Sequence, residues 1–321
     1  MKKTMIWFLL LALMLALVGC GEKPVETEAP TESSTEMTEP SQTEEPTDEA
    51  VDYSVYENKL TVLCYNIYYK DVERRSANIQ DLILKNDPDV LFLQEVSVDW
   101  IPYLQSFMAE NGYSYYGYGR YGGEMSAEDL QSGDQFVPIL WKSDCYDLVE
   151  SGHFWLSSTP DTYSAAWVDG TISNYPRCVN WVILQDKQTG GQFFALNIHT
   201  DPESDMVRTN SCALTVEMLQ TLSKGLPVVM GGDWNMGLTD SGYNIVTKSG
   251  YADVRLVAED TVYGGSFNAW GERADDNYAY GDHLFISDAF AAEKFDVVND
   301  YYDDEHISDH CPLLAVLYYD S

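Results

Sequence analysis

The chain has 321 residues, of which 52 are acidic and 18 are basic, so its formal net charge is −34. A surface this negative repels polyanions unless local arginines or a metal ion intervene, which disfavours a general nucleic-acid binder without excluding one. Five cysteines follow Cys20, an odd number without a Cys-x-x-Cys pair, so neither a disulfide framework nor a zinc knuckle is indicated.

The first twenty residues predict a targeting segment. Lys2 and Lys3 precede an apolar run over residues 5–18, which is short for a transmembrane helix and typical of a secretory signal. The run closes with Leu17-Val18-Gly19-Cys20, which resembles a bacterial lipoprotein signal. That resemblance implies that Cys20 is lipid-modified and anchors the protein to the outer face of the bacterial membrane. An uncleaved anchor, the alternative, would also leave the protein outside the cell.

Residues 21–52 predict a disordered acidic tether. Between residues 22 and 49 the chain consists mainly of Glu, Thr, Pro and Ser, and such a composition cannot bury enough apolar surface to offset the entropy of ordering. Residues 53–321 contain no internal repeat and no second linker, so they predict one domain, which we expect to be monomeric.

Apolar periodicity in residues 53–321 predicts a mixture of strands and helices. Strands are predicted at residues 60–67, 90–94, 136–142, 179–185, 192–199, from 228, and at 283–287 and 312–319. Helices are predicted at 74–86, with Ile79, Leu82 and Ile83 on one face, and at 100–110 and 205–223. Mixed elements in one domain imply either sheet packed on sheet or helices flanking a sheet.

One stretch combines a buried strand with a sharp turn. The apolar residues 226–230 precede Gly231-Gly232-Asp233-Trp234-Asn235. Side chains two apart on extended backbone face the same way, so Asp233 and Asn235 would present a carboxylate and an amide to one point, where they could hold a water or a phosphate oxygen. The alternative is an Asx-type turn in which both side chains only satisfy nearby backbone.

Polar side chains stand at the ends of other predicted strands. They are Asn66, Glu95, Asn197, His199, Asp282, His283, Asp309 and His310. Each has an ordinary structural alternative as an edge amide, a solvated acid or a capping turn, but their recurrence indicates a common cleft. The chain has no Gly-x-Ser-x-Gly and no phosphate loop. Oxygen ligands such as Glu95, Asp309 and Asn66 suit Mg²⁺, Mn²⁺ or Ca²⁺, and imidazoles suit proton transfer, a combination that phosphoester hydrolysis requires.

In order, these motifs resemble the endonuclease/exonuclease/phosphatase superfamily, which includes deoxyribonuclease I, abasic-site endonucleases, neutral sphingomyelinases and inositol-polyphosphate phosphatases. The matching motifs are LTVLCYNI with Asn66, DPDVLFLQEV with Glu95, FFALNIHTD with Asn197, His199 and Asp201, VVMGGDWN with Asp233 and Asn235, GDHLFIS with Asp282, and SDHCPL with Asp309 and His310. HFWLSSTP and PRCVNWVIL, which carries Arg177, are similar to the bacterial branch. The resemblance implies an α/β fold, a four-layer α/β sandwich with two packed mixed β-sheets flanked by helices, and an active site where the sheets meet.

The resemblance also implies a metal centre and a histidine dyad. Glu95 would be the principal ligand of Mg²⁺, or of Mn²⁺ or Ca²⁺, helped by Asn66 and Asp309. His310, oriented by Asp282, would activate the attacking water or stabilise charge in the transition state.

Further roles follow from the same resemblance. Asp233 and Asn235 would position the water or the leaving oxygen. His199 and Asn197 would contact the non-bridging phosphate oxygens, and Arg177 would add a cationic contact.

Some features depart from the family pattern or stay open. His283 stands where the family usually has tyrosine or isoleucine, and it is either structural or tunes the pKa of its neighbours. Residues 117–132 do not align and are expected to help select the substrate. Arg120, Arg177, Arg208 and Arg273 look scattered along the chain, and the tyrosines in residues 113–121 and 278–280 are interpreted as packing and rim residues.

Three functions stay in competition. The favoured one is a metal-dependent phosphodiesterase or phosphatase that acts outside the cell on a small or lipid-linked phosphoester. A secreted nuclease of the same family is the first alternative. The second is a non-catalytic surface binding lipoprotein, against which the presence of every charged motif argues.

Overall fold

The structure, a computed structural model, describes residues 51–272 and 280–320. The strands are β1 (Asn58–Asn66), β2 (Val90–Gln94), β3 (Val96–Ser97), β4 (Tyr113–Tyr116), β5 (Gln135–Phe136), β6 (Ile139–Lys142), β7 (Tyr146–Trp155), β8 (Cys178–Asp186), β9 (Gln192–His199), β10 (Val228–Asp233), β11 (Ala252–Asp253), β12 (Asp260–Val262), β13 (Asp282–Ile286), β14 (Phe290–Val297), β15 (Tyr301–Tyr302), β16 (Glu305–His306) and β17 (Leu313–Tyr319). The helices are α1 (Val72–Asn86), α2 (Ile101–Asn111), α3 (Asp205–Leu222), α4 (Ser241–Lys248) and α5 (Val254–Val257).

The predicted signal, most of the tether and Cys20 lie outside the described residues. In the part of the chain that is described, no helix combines the length and the hydropathy needed to cross a bilayer.

Two large sheets form the middle of the fold. The first has seven strands in the order β12-β14-β17-β1-β2-β6-β4, and the second has six in the order β11-β13-β10-β9-β8-β7. Inward-facing residues of both sheets, such as Val62, Phe92, Ala195 and Val229, share one fully buried cluster between them. Sheet against sheet is therefore the central contact of the fold.

Helices cover the outer face of each sheet. The buried positions Ile79, Leu82 and Ile83 of α1 pack on the first sheet together with α2, as the helical spacing predicts. Helices α3 and α4 pack on the second sheet through residues such as Leu219 and Val246. The four layers of helix, sheet, sheet and helix confirm the predicted α/β sandwich.

Polar strand ends from both sheets gather at one edge. In the first sheet, β1 and β2 run parallel and end side by side, with Asn66 opposite Gln94. In the second sheet, Asp233 at the end of β10 is opposite His199 of parallel β9 and Asp282 of antiparallel β13. The carboxyl ends of parallel β9 and β10 meet at this edge, and antiparallel β13 begins there. Three polar side chains therefore stand on neighbouring strands.

The strand predicted at residues 136–142 is in fact two. Phe136 belongs to β5 and pairs with Val96, whereas Ile139 begins β6 and pairs with Phe92. Pro138 separates them because a proline has no N–H to donate to a ladder. Its carbonyl instead accepts a hydrogen bond from Leu93 N at 3.2 Å.

The two glycines that precede Asp233 are required by close packing. A Cβ on Gly231 would lie 2.2 Å from the ring of Phe92 in the facing sheet. A Cβ on Gly232 would lie 2.1 Å from the carbonyl oxygen of Ile198 in the neighbouring strand. Backbone cannot swing away as a flexible side chain can, so the second position is the stricter of the two.

We expect Gly232→Ala to lower the free energy of unfolding by about 3 kcal/mol, since β9 and β10 must separate to admit the methyl group. Urea denaturation followed by circular dichroism would measure the change. Gly264→Ala is the matched control, because its Cβ would lie at an ordinary 3.6 Å from Val297 Cβ. Equal midpoints for the two variants would contradict the packing argument.

Candidate active site

His310 and Asp282 form a buried dyad. Nδ1 of His310 lies 2.7 Å from Asp282 Oδ2, and the same oxygen accepts a hydrogen bond from Ser266 Oγ at 2.6 Å. Burial alone would lower the pKa of His310, but the carboxylates of Asp282 and Asp233 outweigh it and raise that pKa to about 10. The hydrogen bond to Asp282 therefore holds the imidazole in one orientation, and the neighbouring carboxylates favour its protonated form.

Asp233 lies opposite the dyad and approaches three polar side chains. Its Oδ2 accepts a hydrogen bond from Asn66 Nδ2 at 3.0 Å, and it lies 3.3 Å from His199 Nε2 and 3.8 Å from His310 Nε2. Burial, followed by the charge of Asp282, raises the pKa of Asp233 to about 7. A carboxylate with that pKa is able to exchange a proton near neutral pH.

His199 lies in the same cleft as a neutral side chain. It is 6% exposed, and burial followed by the charges of Arg177 and His310 lowers its pKa well below the ordinary value. A neutral imidazole beside Asp233 can donate one hydrogen bond and accept another.

The backbone around the cleft is held in an unusual conformation. Tyr68, Glu95 and Asn235 are non-glycine residues with φ between 50° and 58°, in the left-handed region. Such a conformation costs about 1–3 kcal/mol per residue, and it is frequent at functional sites. Asn66 stabilises one of these turns, since its Oδ1 accepts a hydrogen bond from Tyr68 N at 3.1 Å.

Lysine and arginine side chains of the described residues do not neutralise the carboxylates of this cleft. Within the described part of the chain, no lysine or arginine forms an ion pair with Glu95, Asp309 or Asp282, and the buried Oδ1 of Asp282 has no hydrogen-bond partner. Burial and the charge of Asp309 raise the pKa of Glu95, and burial raises that of Asp309 as well.

These observations fit a hard divalent cation. Glu95, Asp309 and Asn66 offer oxygen atoms of the kind that Mg²⁺, Mn²⁺ and Ca²⁺ bind, and their surplus of negative charge is what such an ion would offset. Asp233, Asp282 and His310 also bring one ligand atom each within 4.8 Å of one another. The hydrogen bond between His310 and Asp282 already explains why two of these three residues lie close together.

The structure corrects the role predicted for Asn197. Asn197 is fully buried: its Oδ1 accepts a hydrogen bond from Gln94 Nε2 at 2.7 Å, and its Nδ2 donates to the carbonyls of Leu93 and Pro138, both at 2.8 Å. Every polar group of the amide is therefore used between the two sheets. It has no donor left for a phosphate oxygen, and its role is structural.

The structure corrects the extended-strand geometry from which Asn235 was predicted. The strand ends at Asp233, and Asn235 has left-handed backbone, so the alternation of side chains along a strand does not relate the two residues. Asp233 Oδ1 accepts a hydrogen bond from Asn235 N at 3.0 Å, which is the Asx turn considered as the alternative. Asn235 Nδ2 donates to Thr200 O at 3.3 Å, whereas Asp233 Oδ2 still faces the cleft.

Two arginines that look scattered in the sequence converge in space. Arg120 and Arg177 line a cavity of about 260 Å³ beside Glu95, with Tyr69, Ser97, Gly133, Asp134, Gln135 and Tyr175 as the other lining residues. The Nε atoms of both arginines are buried without a hydrogen-bond partner. Burial and the neighbouring Arg120 lower the pKa of Arg177. An anionic group in this cavity would relieve that repulsion.

Other predicted residues lie elsewhere or are not described. Arg208 lies in α3 and donates to Asp201 O, and Asp201 accepts hydrogen bonds from the backbone of Glu203 and Ser204, so both stabilise a loop. Arg273 and Tyr278 lie outside the described residues, whereas the ring of Tyr280 lies 5.1 Å from the guanidinium carbon of Arg255.

His283 is structural. It is fully buried on the opposite face of β13 from Asp282, with Nδ1 2.9 Å from Asp253 Oδ2 and Nε2 2.9 Å from Met236 O. Arg255 Nη1 lies 3.5 Å from the same Nδ1. The imidazole therefore ties β13 to the segments on either side of it.

Arg75 supports the cleft and was not among the predicted residues. It is 1% exposed, and its guanidinium donates to the carbonyls of Ile67, Tyr68 and Ile307 at 2.6–2.7 Å. It thereby joins the turn after β1 to the segment that carries His310. Its position on the apolar face of α1, one turn before Ile79, is the sequence signal that could have identified it.

Comparison with known proteins found a matching family model and similar solved structures. The sequence model described as the Endonuclease/Exonuclease/phosphatase family matches residues 63–310. The chain is similar to the crystal structure of an endonuclease/exonuclease/phosphatase family protein from Bacteroides thetaiotaomicron, with 26% identity, coverage of 82% of this chain and 99% of that one, and a TM-score of 0.74.

Two further solved structures are similar. A mannosyl-6-phosphatase of Bacteroides thetaiotaomicron has 27% identity, covers 81% of this chain and 100% of its own, and gives a TM-score of 0.72. The human Nocturnin catalytic domain has 18% identity, with coverage of 81% and 94% and a TM-score of 0.64, and shows the shared fold alone. No curated protein matches the chain.

Proposed function

Because the chain belongs to the endonuclease/exonuclease/phosphatase family, whose members hydrolyse phosphoesters, we propose that it is a divalent-metal-dependent phosphatase of small, sugar-sized phosphoesters. The observation that carries the proposal is the convergence in one cleft of the His310–Asp282 dyad, Asp233 and the carboxylates of Glu95 and Asp309, which pair with no lysine or arginine of the described residues. That combination suits the charge that develops on a phosphoryl group during hydrolysis.

The proposed chemistry divides the roles between the two sides of the cleft. Asp233, with a pKa near neutrality, accepts a proton from the attacking water. His310, protonated and oriented by Asp282, places positive charge beside the phosphoryl oxygens or the leaving oxygen. His199 donates a further hydrogen bond. A cation held by Glu95, Asp309 and Asn66 would supply additional positive charge to the phosphoryl oxygens.

The size and charge of the neighbouring cavity support a small substrate. About 260 Å³ is room for one sugar-sized group rather than for duplex nucleic acid. Arg120 and Arg177 provide two cations there, in a chain whose net charge of −34 repels long polyanions. The ring of Tyr175, stacked 4.5 Å from the Arg120 guanidinium carbon, adds an apolar face on which a sugar can lie. The similarity to a mannosyl-6-phosphatase supports the same substrate class.

We propose the cell surface as the place of this activity, with Cys20 as the lipid anchor. The proposal rests on the basic and apolar residues before Cys20 and on the polar segment after it. Phosphorylated sugars do not cross membranes freely, so intact cells that carry the protein should hydrolyse an added sugar phosphate. Cys20→Ser should abolish the incorporation of labelled palmitate into the protein, and a variant that still takes up the label would contradict Cys20 as the lipid anchor.

Hydrolysis of mannose 6-phosphate, bis(p-nitrophenyl) phosphate and single-stranded DNA by the purified protein tests the function. We expect kcat/KM with Mg²⁺ or Mn²⁺ to be highest for the sugar phosphate and to be lost on chelation. Arg177→Gln should raise KM for the sugar phosphate, whereas Arg74→Gln, at an exposed ion pair with Glu305, should not. Preferred cleavage of DNA would favour the nuclease alternative, and inactivity against every ester would favour a binding protein.

A further inference from the structure

A second cluster of metal-binding side chains lies just before β17. Asp300 Oδ1 is 2.5 Å from His306 Nδ1 and 3.3 Å from Cys311 Sγ. One ligand atom from each of these residues lies within 4.8 Å of the other two. Among the interactions of the described residues, no hydrogen bond or ion pair joins these three to Asp282 or Asp233, so the catalytic arrangement leaves them unused.

We propose that Asp300, His306 and Cys311 form a separate site for a thiophilic divalent cation of the Zn²⁺ class. A carboxylate, an imidazole and a thiolate form a mixed donor set that zinc accepts and magnesium does not, because Mg²⁺ prefers oxygen atoms in an octahedral arrangement. The site therefore differs in chemistry from the oxygen cluster around Glu95. The inference does not depend on the proposed phosphatase activity.

The fold holds the three ligands from three directions. Asp300 precedes β15 and is fully buried, with Oδ2 accepting a hydrogen bond from Ser308 N at 3.2 Å. The β15–β16 hairpin carries His306, and Cys311 lies two residues before the start of β17. The side chain of His306 is 20% exposed, which gives an ion a path from solvent. Three protein ligands leave the fourth tetrahedral position for water.

The present separations are close to those of a bound ion. Ligand atoms about 2.0–2.3 Å from a tetrahedral zinc are roughly 3.3–3.7 Å apart. The Cys311–Asp300 separation of 3.3 Å lies in that range, and the ligand atom of His306 lies within 4.8 Å of that of Cys311. To admit an ion, the hydrogen bond between His306 and Asp300 must lengthen. Because Cys311 follows His310 in the chain, the bound ion would also fix the segment that carries the dyad.

Ultraviolet titration with Cd²⁺ tests the site, since a cadmium–thiolate bond has its own charge-transfer absorption. The full chain would carry Cys20→Ser and Cys145→Ser under reducing conditions. Among the described cysteines, Cys145 is the exposed one, and Cys64, Cys178 and Cys212 are buried. We expect the band to saturate at one equivalent of Cd²⁺, to be displaced by Zn²⁺, and to persist in excess Mg²⁺.

Cys311→Ser in that background should abolish the band, and His306→Ala should weaken Cd²⁺ binding at least tenfold. The second variant keeps the test decisive if the first does not fold, because His306 is partly exposed and its removal leaves the core intact. A background protein without the band would overturn the proposal. So would a band that survives Cys311→Ser, or Cd²⁺ binding that His306→Ala leaves unchanged.

Discussion

Replacing His310 with alanine is expected to lower kcat on the preferred phosphoester by about 10²–10⁴-fold, the usual contribution of a positioned proton donor or acceptor. The imidazole is held by Asp282 at 2.7 Å and points its Nε2 towards Asp233. Its positive charge stabilises the transition state, in which negative charge develops on the phosphoryl group, more than it stabilises the bound substrate. KM should therefore change less than kcat. Steady-state kinetics with saturating metal would separate the two constants.

Asp282→Asn provides the internal check on this prediction. If Asp282 acts through His310, the double variant Asp282→Asn/His310→Ala should be no slower than His310→Ala alone, because residues that work as a unit are not additive. His153→Ala is the matched histidine control, since His153 lies on β7 against Tyr118 and Tyr116. A His310→Ala variant that keeps a near-normal kcat would remove His310 from the mechanism.

The regular parts of the fold were predictable because their periodicity is strong. The strand predicted at residues 192–199 matches β9, and α1 differs from its prediction by two residues at the start. Strand β7 was not predicted, because it is an edge strand with charged residues and a glycine in place of an apolar run. Strand β14 was missed because a bulge between Ala292 and Lys294 breaks the alternation.

The cleft was predictable for a different reason. Each of Asn66, Asp233 and Asp282 is a polar residue next to a buried run, and such a position costs free energy unless the group is hydrogen-bonded or functional. The sequence therefore indicates which polar side chains are candidates for the site. It does not show that β10 pairs with β9 and β13, and this pairing is what brings Asp233 opposite Asp282.

The same criterion fails where the partners are remote in sequence. Asn197 has the sequence signature of a site residue, yet its partners Gln94, Leu93 and Pro138 are 59 or more positions away and use its whole amide. Arg120 and Arg177 are the opposite case, in which the sequence gives no sign of a shared site. They look unrelated in the chain, but the loops after β4 and before β8 bring both to one cavity. Side-chain partners across two sheets cannot be read from spacing.

Glu95→Gln is expected to abolish metal-stimulated hydrolysis while leaving the metal-free protein at least as stable as the wild type. Burial and the charge of Asp309 disfavour the ionised Glu95 carboxylate, so a neutral amide of the same shape removes repulsion. The amide oxygen can still accept the hydrogen bond from Tyr69 N. Without metal, the melting temperature of the variant should therefore equal or exceed that of the wild type.

Added Mg²⁺ or Mn²⁺ should reverse this order, so that the wild type has the higher melting temperature. A ligand that binds only the folded state at 100 times its Kd stabilises that state by about 2.7 kcal/mol, so the wild type should melt at a higher temperature and Glu95→Gln should not. Glu110→Gln, at an exposed position in α2, should respond to metal as the wild type does. An equal metal-induced shift in wild type and Glu95→Gln would place the cation on other ligands, because loss of the principal carboxylate must weaken any ion that depends on it.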